Sequence, residues 1–173
     1  MIYLSGINEG DKGLLDIARW RNESMSVLRS TQETVANFVS QDAWVKHWKA
    51  NGDKYYFIYG KDHYEDLLLG YCGLDKIDSV NKSAEVSLLI APEKRGIGLG
   101  TRAIKDLLSI AFCKLELNRV FIEVYKTAET YIFWDSIGFI QEGVLRETKK
   151  WDGKFHDSIV ASILRDEYFE GVV

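Results

Sequence analysis

The stretch AEVSLLIAPEKRGIGLGT, Ala84 to Thr101, decides the fold. Ala84, Val86, Leu88 and Ile90 alternate with Glu85, Ser87 and Leu89, the period-two pattern of a strand with two unlike faces. Ala91-Pro92 ends that strand, because Pro has no N–H to offer a neighbour. Arg95, Gly96, Gly98 and Gly100 follow, and a long amphipathic run begins. Glycines at the mouth of a helix leave backbone N–H groups uncovered. With the positive end of the helix dipole and the charge of Arg95, these groups form an anion site suited to a phosphate-bearing ligand.

Known glycine loops differ in what surrounds the glycines. The nucleoside-triphosphate loop needs Lys after its last Gly, and here Thr101 and Arg102 follow Gly100. The dinucleotide fingerprint needs a third Gly three positions after the second. Counted from Gly96 and Gly98, that place is Thr101, and the loop lies past a Pro and two charges rather than in the first turn after the strand. A third pattern reads Arg or Gln, two residues, Gly, one residue, Gly or Ala, and Arg95, Gly98 and Gly100 satisfy it. This resembles the coenzyme A pyrophosphate loop of the GNAT N-acetyltransferases, and the flanking strand, Pro and helix resemble that family as well. The bland alternative is a Gly-rich turn joining strand to helix.

At 173 residues, with 46% apolar and 13% aromatic residues, the chain reads as one globular domain spanning 1–173. A single Pro leaves no obvious linker. The net charge of −4, without a dense Lys or Arg run, disfavours non-specific nucleic-acid binding. The start, MIYLSGINEGDKG, lacks the basic flank and apolar core of a signal peptide, and no apolar run approaches a membrane span. Cys72 and Cys113 lie among apolar residues and read as buried free thiols of a reducing cytoplasm. His47, His63 and His156 have no metal-ligand spacing, so no metal is expected.

Along the chain, Ile2 to Ser5 reads as a strand, and Leu14 to Asn22 as a helix. Ser24 to Phe38 is ambiguous, and Ser40 reads as the N-cap of a helix carrying Trp44, Val45 and Trp48. Tyr55–Gly60, Leu67–Ile77 with a bulge at a Gly, and the strand before Pro92 form an antiparallel meander. Ala103, Ile104, Leu107, Leu108, Ile110 and Ala111 share one helix face. Arg119–Tyr125 is a strand parallel to the one before Pro92. Ala128–Ser136 is a short aromatic helix, and Asp152-Gly153 turns a final hairpin. The sum is an α/β fold, a mixed, mostly antiparallel sheet of about seven strands with helices on both faces.

This order matches the GNAT order from end to end. Ala84-Glu85, Gly138-Phe139 followed by Glu142-Gly143, and GKFHDSI with Asp157 resemble the branch of ribosomal-protein, spermidine and amino-sugar acetyltransferases. The resemblance implies acetyl-CoA as co-substrate, its pantetheine arm beside Leu88, Leu89 and Ile90. It puts the pyrophosphate over Arg95-Gly96-Ile97-Gly98-Leu99-Gly100-Thr101. It also implies a Tyr as proton donor to the departing thiolate, but that place holds Trp134, while the family's Asn and Ala places hold Thr127 and Thr130. Indole is no useful general acid. Tyr131, one turn earlier, is the substitute, unless solvent suffices.

An amine attacks a thioester only when neutral, so a base or water chain must take a proton. Glu85, on the strand that orders the cofactor and among apolar neighbours, is the expected base, with Glu123 and His63 as runners-up. Backbone N–H near Leu89 would polarise the thioester carbonyl. Arg21 reads either as the solvated neighbour of a core Trp20 or as a contact to the acceptor. The expected reaction is acetylation of a primary amine by direct attack. The acceptor is a small molecule, with an amino sugar favoured over a polyamine or a protein N-terminus. A non-catalytic acyl-CoA-binding module and a dinucleotide oxidoreductase are the other classes. Expected partners are a small amine and, where the chain self-associates, a second copy in a homodimer, not nucleic acid or a membrane.

Overall fold

The computed structural model describes residues 1–23, 38–61, 65–151 and 153–171. In chain order these form β1 (Ile2–Gly6), α1 (Gly13–Glu23), α2 (Phe38–Asn51), β2 (Lys54–Lys61), β3 (Asp66–Asp78) and β4 (Ser83–Ile90). A 3-10 turn at Pro92–Lys94 leads to α3 (Leu99–Ser109), which runs into a π-helical turn, Ile110–Lys114. Then come β5 (Arg119–Tyr125), α4 (Ala128–Asp135), β6 (Ile140–Trp151), β7 (Lys154–Leu164) and α5 (Arg165–Phe169). One sheet holds all seven strands in the order β1-β2-β3-β4-β5-β7-β6. Every pairing is antiparallel except that of β4 with β5. The mixed sheet, the meander and the final hairpin agree with the sequence pattern.

The alternation along β4 sorts its residues between two cores. Ala84, Val86 and Ile90 pack with Ile104, Leu107, Leu108 and Phe112 beneath α3. Leu89 faces the other way and joins Leu14, Ile17, Trp20, Val45 and Trp48 beneath α1 and α2. Gly100 inside α3 costs up to about 1 kcal/mol of helix propensity. Burying Ile104, Leu107 and Leu108 completely returns about 1.5–3 kcal/mol each. Packing of the amphipathic face therefore outweighs the weak helix start.

Several boundaries differ from the sequence pattern. α1 continues to Glu23, and α2 begins at Phe38, which puts Ser40 inside the helix rather than at its N-cap. Residues 24–37, where the pattern was ambiguous, lie outside the described residues, as does His63. Cys72 is buried but Cys113 is exposed, because the π-helical turn rotates it away from the core that holds Ala111 and Phe112. The π-helical turn and α5 are too short to leave a period in the sequence. Among the described residues, no helix is long and apolar enough to cross a membrane.

β3 is bulged where its glycines suggested. Ile58 pairs with Gly70 and Tyr59 with Leu68, so Leu69 is the extra residue, and its carbonyl accepts the Ala91 N–H at 2.8 Å. A Cβ on Gly70 would fall 2.2 Å from the Leu89 carbonyl oxygen, a backbone atom that cannot swing aside. Gly70→Ala is expected to lower stability by about 1–3 kcal/mol through this overpacking, read as a lower urea midpoint. An unchanged midpoint would show that β4 can move away from β3.

Candidate active site

β4 and β5 are paired only at Ser83–Arg119, Ala84–Val120 and Glu85–Phe121. Beyond that point β5 continues along β7 and β4 along β3, so the two strands part. Backbone groups of a strand alternate in direction, so half of those from Val86 to Ile90 look into the gap without a β5 partner. The gap opens into a cleft of about 980 Å³. Leu88, Leu89 and Ile90 from β4, the glycine loop, Val124 and Tyr125 from β5, and Phe133 and Trp134 from α4 line it.

At one end of the cleft stands the loop. Gly98 is the N-cap of α3 with φ +81°, a left-handed conformation that a side chain would strain, and no side chain caps the helix. The first-turn N–H groups of an α-helix lack intrahelical acceptors, and the dipole adds partial positive charge there. A Cβ built on Gly96 or Gly98 meets nothing within 4 Å, so the space over the loop is open to a ligand. Arg95 is half-buried, and its Nε donates to the Ile90 carbonyl at 3.2 Å, which fixes it at the end of β4. Lys94 and Thr101 also line the cleft, whereas Ile97 is 70% exposed and does not.

On the face shared with α1 and α2, the cleft carries alternating charge. Glu85 Oε2 lies 2.6 Å from Lys76 Nζ, with the Glu side chain 17% exposed. Glu85 therefore sits in an ion pair, not among the apolar neighbours expected from the sequence, and its hydrogen bond pushes Lys76 above the ordinary 10.5. Glu123 Oε1 accepts from Lys149 Nζ at 3.0 Å and from Ser158 Oγ at 3.0 Å. Burial works against the charged form of Glu123, but these two bonds outweigh it and hold the carboxyl below the ordinary 4.5. Behind Glu85, Asp75 accepts from the Tyr55 hydroxyl and from Ser87 Oγ.

Other expectations divide. Arg21 does line the cleft, where it lies 5.5 Å from the Trp44 ring centroid and donates to Gln41 Oε1 at 3.4 Å. Tyr131 is 44% exposed and absent from the lining. Glu129, Phe133 and Trp134 of α4 do line the cleft, and Trp134, in the family's Tyr place, is 7% exposed and packed edge-on against Phe133 and Phe139. Three residues along a helix turn the side chain by about 300°, enough on so short a helix to leave Tyr131 facing out. Trp48, Tyr55 and Phe57 are core residues, so these aromatics of the N-terminal half serve packing. Sequence reasoning missed Tyr71, Tyr125 and Lys149 as lining residues. Tyr125 alone left a signal, two positions after Glu123 on the same strand face.

The depressed Glu123 pKa has a consequence for stability. A carboxyl held below its unfolded value stabilises the fold above that value, and the contribution fades as pH falls through the folded value. Glu123→Gln should cost about 1 kcal/mol or less at neutral pH, since the pair is partly exposed. The deficit should shrink at pH below the ordinary 4.5. Urea midpoints across the acid range check this, and a deficit independent of pH would contradict it.

Comparison with known proteins accords with this geometry. The model of the acetyltransferase (GNAT) domain family matches residues 2–129. YdaF of Bacillus subtilis (strain 168), whose name assigns it provisionally to ribosomal N-acetyltransferases, is 36% identical over 106 residues. That alignment takes in 61% of this chain and spans only 58% of the relative's own length. The spermidine N(1)-acetyltransferase of Vibrio cholerae is 26% identical over 129 residues, 74% of this chain and 73% of that one. A crystal structure of spermidine N-acetyltransferase from Vibrio cholerae with CoA and spermine superposes with a TM-score of 0.83. At 24% identity, covering 97% of this chain and 98% of the other, it shares the fold. Matched by the family model over well more than half its length, the chain belongs to the GNAT acetyltransferase family.

Proposed function

We propose that this protein transfers the acetyl group of acetyl-CoA to a primary amine of a small polyamine. The observation that carries the acceptor class is that two of the cleft carboxylates, Glu85 and Glu123, stand on the neighbouring strands β4 and β5. Proteins named spermidine N(1)-acetyltransferases among the relatives support it. A protein N-terminus is the second reading, favoured by the similarity to YdaF.

Acetyl-CoA would supply an acyl group already activated as a thioester. The loop from Arg95 to Thr101 suits its pyrophosphate, through exposed helix N–H groups and one guanidinium. The free edge of β4 at Leu88 to Ile90 suits the amide groups of its pantetheine arm, which can pair as a strand would. An alkylammonium has an ordinary pKa near 10 and must lose a proton before it attacks. Glu85 takes that role in this proposal, directly or through a water, while Glu123 receives a second ammonium of the same acceptor. With Tyr131 outside the cleft, water entering the open gap protonates the leaving thiolate, whose conjugate acid has an ordinary pKa near 8.5.

Thiol release from acetyl-CoA, measured with spermidine, spermine, glucosamine and a peptide bearing a free N-terminus, tests the acceptor. Fastest turnover with the polyamines supports the proposal, and fastest turnover with the peptide favours the second reading. Absence of release with any amine, despite coenzyme binding, would leave an acyl-CoA-binding module.

Two substitutions separate binding from chemistry. Charge-assisted hydrogen bonds are worth about 1.5–3 kcal/mol, so Arg95→Ala should weaken coenzyme A binding by about ten- to a hundredfold in calorimetry. Affinity equal to the parent's would remove Arg95 from the phosphate site. Glu85→Gln should lower turnover by about 10²–10⁴ with coenzyme affinity unchanged. A loss below threefold at saturating acceptor would pass the proton to another group or to water.

A further inference from the structure

The Glu123 end of the cleft carries a cation of its own, held there by an irregular strand. Leu145 pairs with Ser158 and Lys149 with His156, so Arg146, Glu147 and Thr148 stand opposite Asp157 alone. Glu147 adopts φ +55°, and its N–H donates to Asp157 Oδ1 at 3.1 Å. The Asp157 carboxylate of the GKFHDSI hairpin is thus committed to the bulge. Beyond it, Thr148 Oγ1 meets Ser158 Oγ at 2.7 Å and Lys149 Nζ meets Glu123 Oε1 at 3.0 Å. Ser158 is fully buried, so this carboxylate oxygen is fixed from below as well. The Lys149 side chain is 24% exposed, against 73% for Lys76. Lys149 is therefore part of the cleft wall rather than a surface lysine ranging through solvent.

We propose that Lys149 is a specificity-determining residue whose Nζ occupies the place on Glu123 that an acceptor ammonium takes. This rests on the amine-acetyltransferase reading above. An alkylammonium of the acceptor and the lysine ammonium carry the same charge and the same three donors, so one replaces the other on Glu123 while the Ser158 bond stays. The displaced Lys149 swings toward solvent on its flexible stem. A monoamine must give up its one charge to attack the thioester, and it has nothing left with which to displace Lys149. A polyamine keeps a second ammonium for the exchange. The bulge in β6 thereby sets how much a second ammonium gains from Glu123, because each polyamine must displace Lys149 and a monoamine need not.

Lys149→Met removes the charge and keeps most of the stem, and Lys149→Gln is a second variant should the first fold poorly. Spermidine is the probe, titrated by calorimetry into the protein saturated with coenzyme A. Spermidine should bind both variants about two- to fivefold more tightly than the parent, the range expected for relieving one partly exposed ion pair. Lys149→Arg should bind like the parent, and Glu123→Gln added to Lys149→Met should abolish the gain. Coenzyme A affinity should stay within twofold throughout. Mere loss of packing would weaken binding, so tighter binding is a signature that a structural role does not produce. Unchanged or weaker spermidine binding in both variants, or no detectable binding to parent and variants alike, overturns the proposal. The calorimetry needs no turnover, so a binding gain without acetyl transfer to any amine would sink the enzymatic reading and leave this one standing. Acetyl transfer without a binding gain would do the reverse.

Discussion

β4 and β5 hold each other for three residue pairs and then separate, and the rest of the molecule depends on that separation. A parallel pair that continued would satisfy its own backbone and leave no room between strands. Here each strand has another partner for its full length, β3 for β4 and β7 for β5, so parting them leaves each strand anchored on its other side. The close approach of β3 to β4 at Gly70, where no Cβ fits, keeps β4 on that side of the gap. Pro92 then ends the strand, and the chain turns into α3 with its N-terminus at the mouth of the cleft.

The same strand also divides the chemistry between two faces. Its even-numbered residues lie over the core beneath α3, and Glu85, Ser87 and Leu89 look toward α1 and α2. A register slip of one residue would exchange these sets, burying a carboxylate beneath α3 and turning Val86 toward α1 and α2. The large apolar cost of that exchange is what holds Glu85 where an acceptor could reach it. Two of the cleft carboxylates are answered by lysines: Glu85 by Lys76 and Glu123 by Lys149. In the proposed reading, a cleft balanced in this way recognises a cation by exchange rather than by attraction to uncompensated charge. Affinity then depends on how well the lysines are held.

Much of this was legible in local sequence. The alternation of β4, the single Pro, the Arg95–Gly98–Gly100 spacing and the Asp152-Gly153 turn are each set by short-range sterics and hydrogen-bonding capacity. These features sufficed for the meander, the parallel β4–β5 pair, the final hairpin, the loop and the family resemblance, but not for the places of β1 and β7 in the sheet. Helix ends were read less well, as at Ser40, because packing of Trp48 and Val45 against the sheet can extend a helix past a good capping residue.

What only the tertiary structure decided is the set of partners across strands and the direction of each side chain at an element's end. Lys76 reaches Glu85 because β3 shifts register after Asp75 and Lys76 takes φ +51°. Lys149 reaches Glu123 because three residues of β6 bulge opposite Asp157. Neither bulge has a composition signal, since each arises where two strands of unequal length must still bury their apolar faces together. Tyr131 and Trp134 present the same limit on α4: both are aromatic and both suit a helix, and the core chose the larger ring. The sequence by itself determined where a glycine loop would open a helix after a Pro-ended strand. The long-range packing of β3, β5 and β6 decided which charges face each other across the cleft, because ion pairs form between neighbours in space and a chain records only neighbours in order.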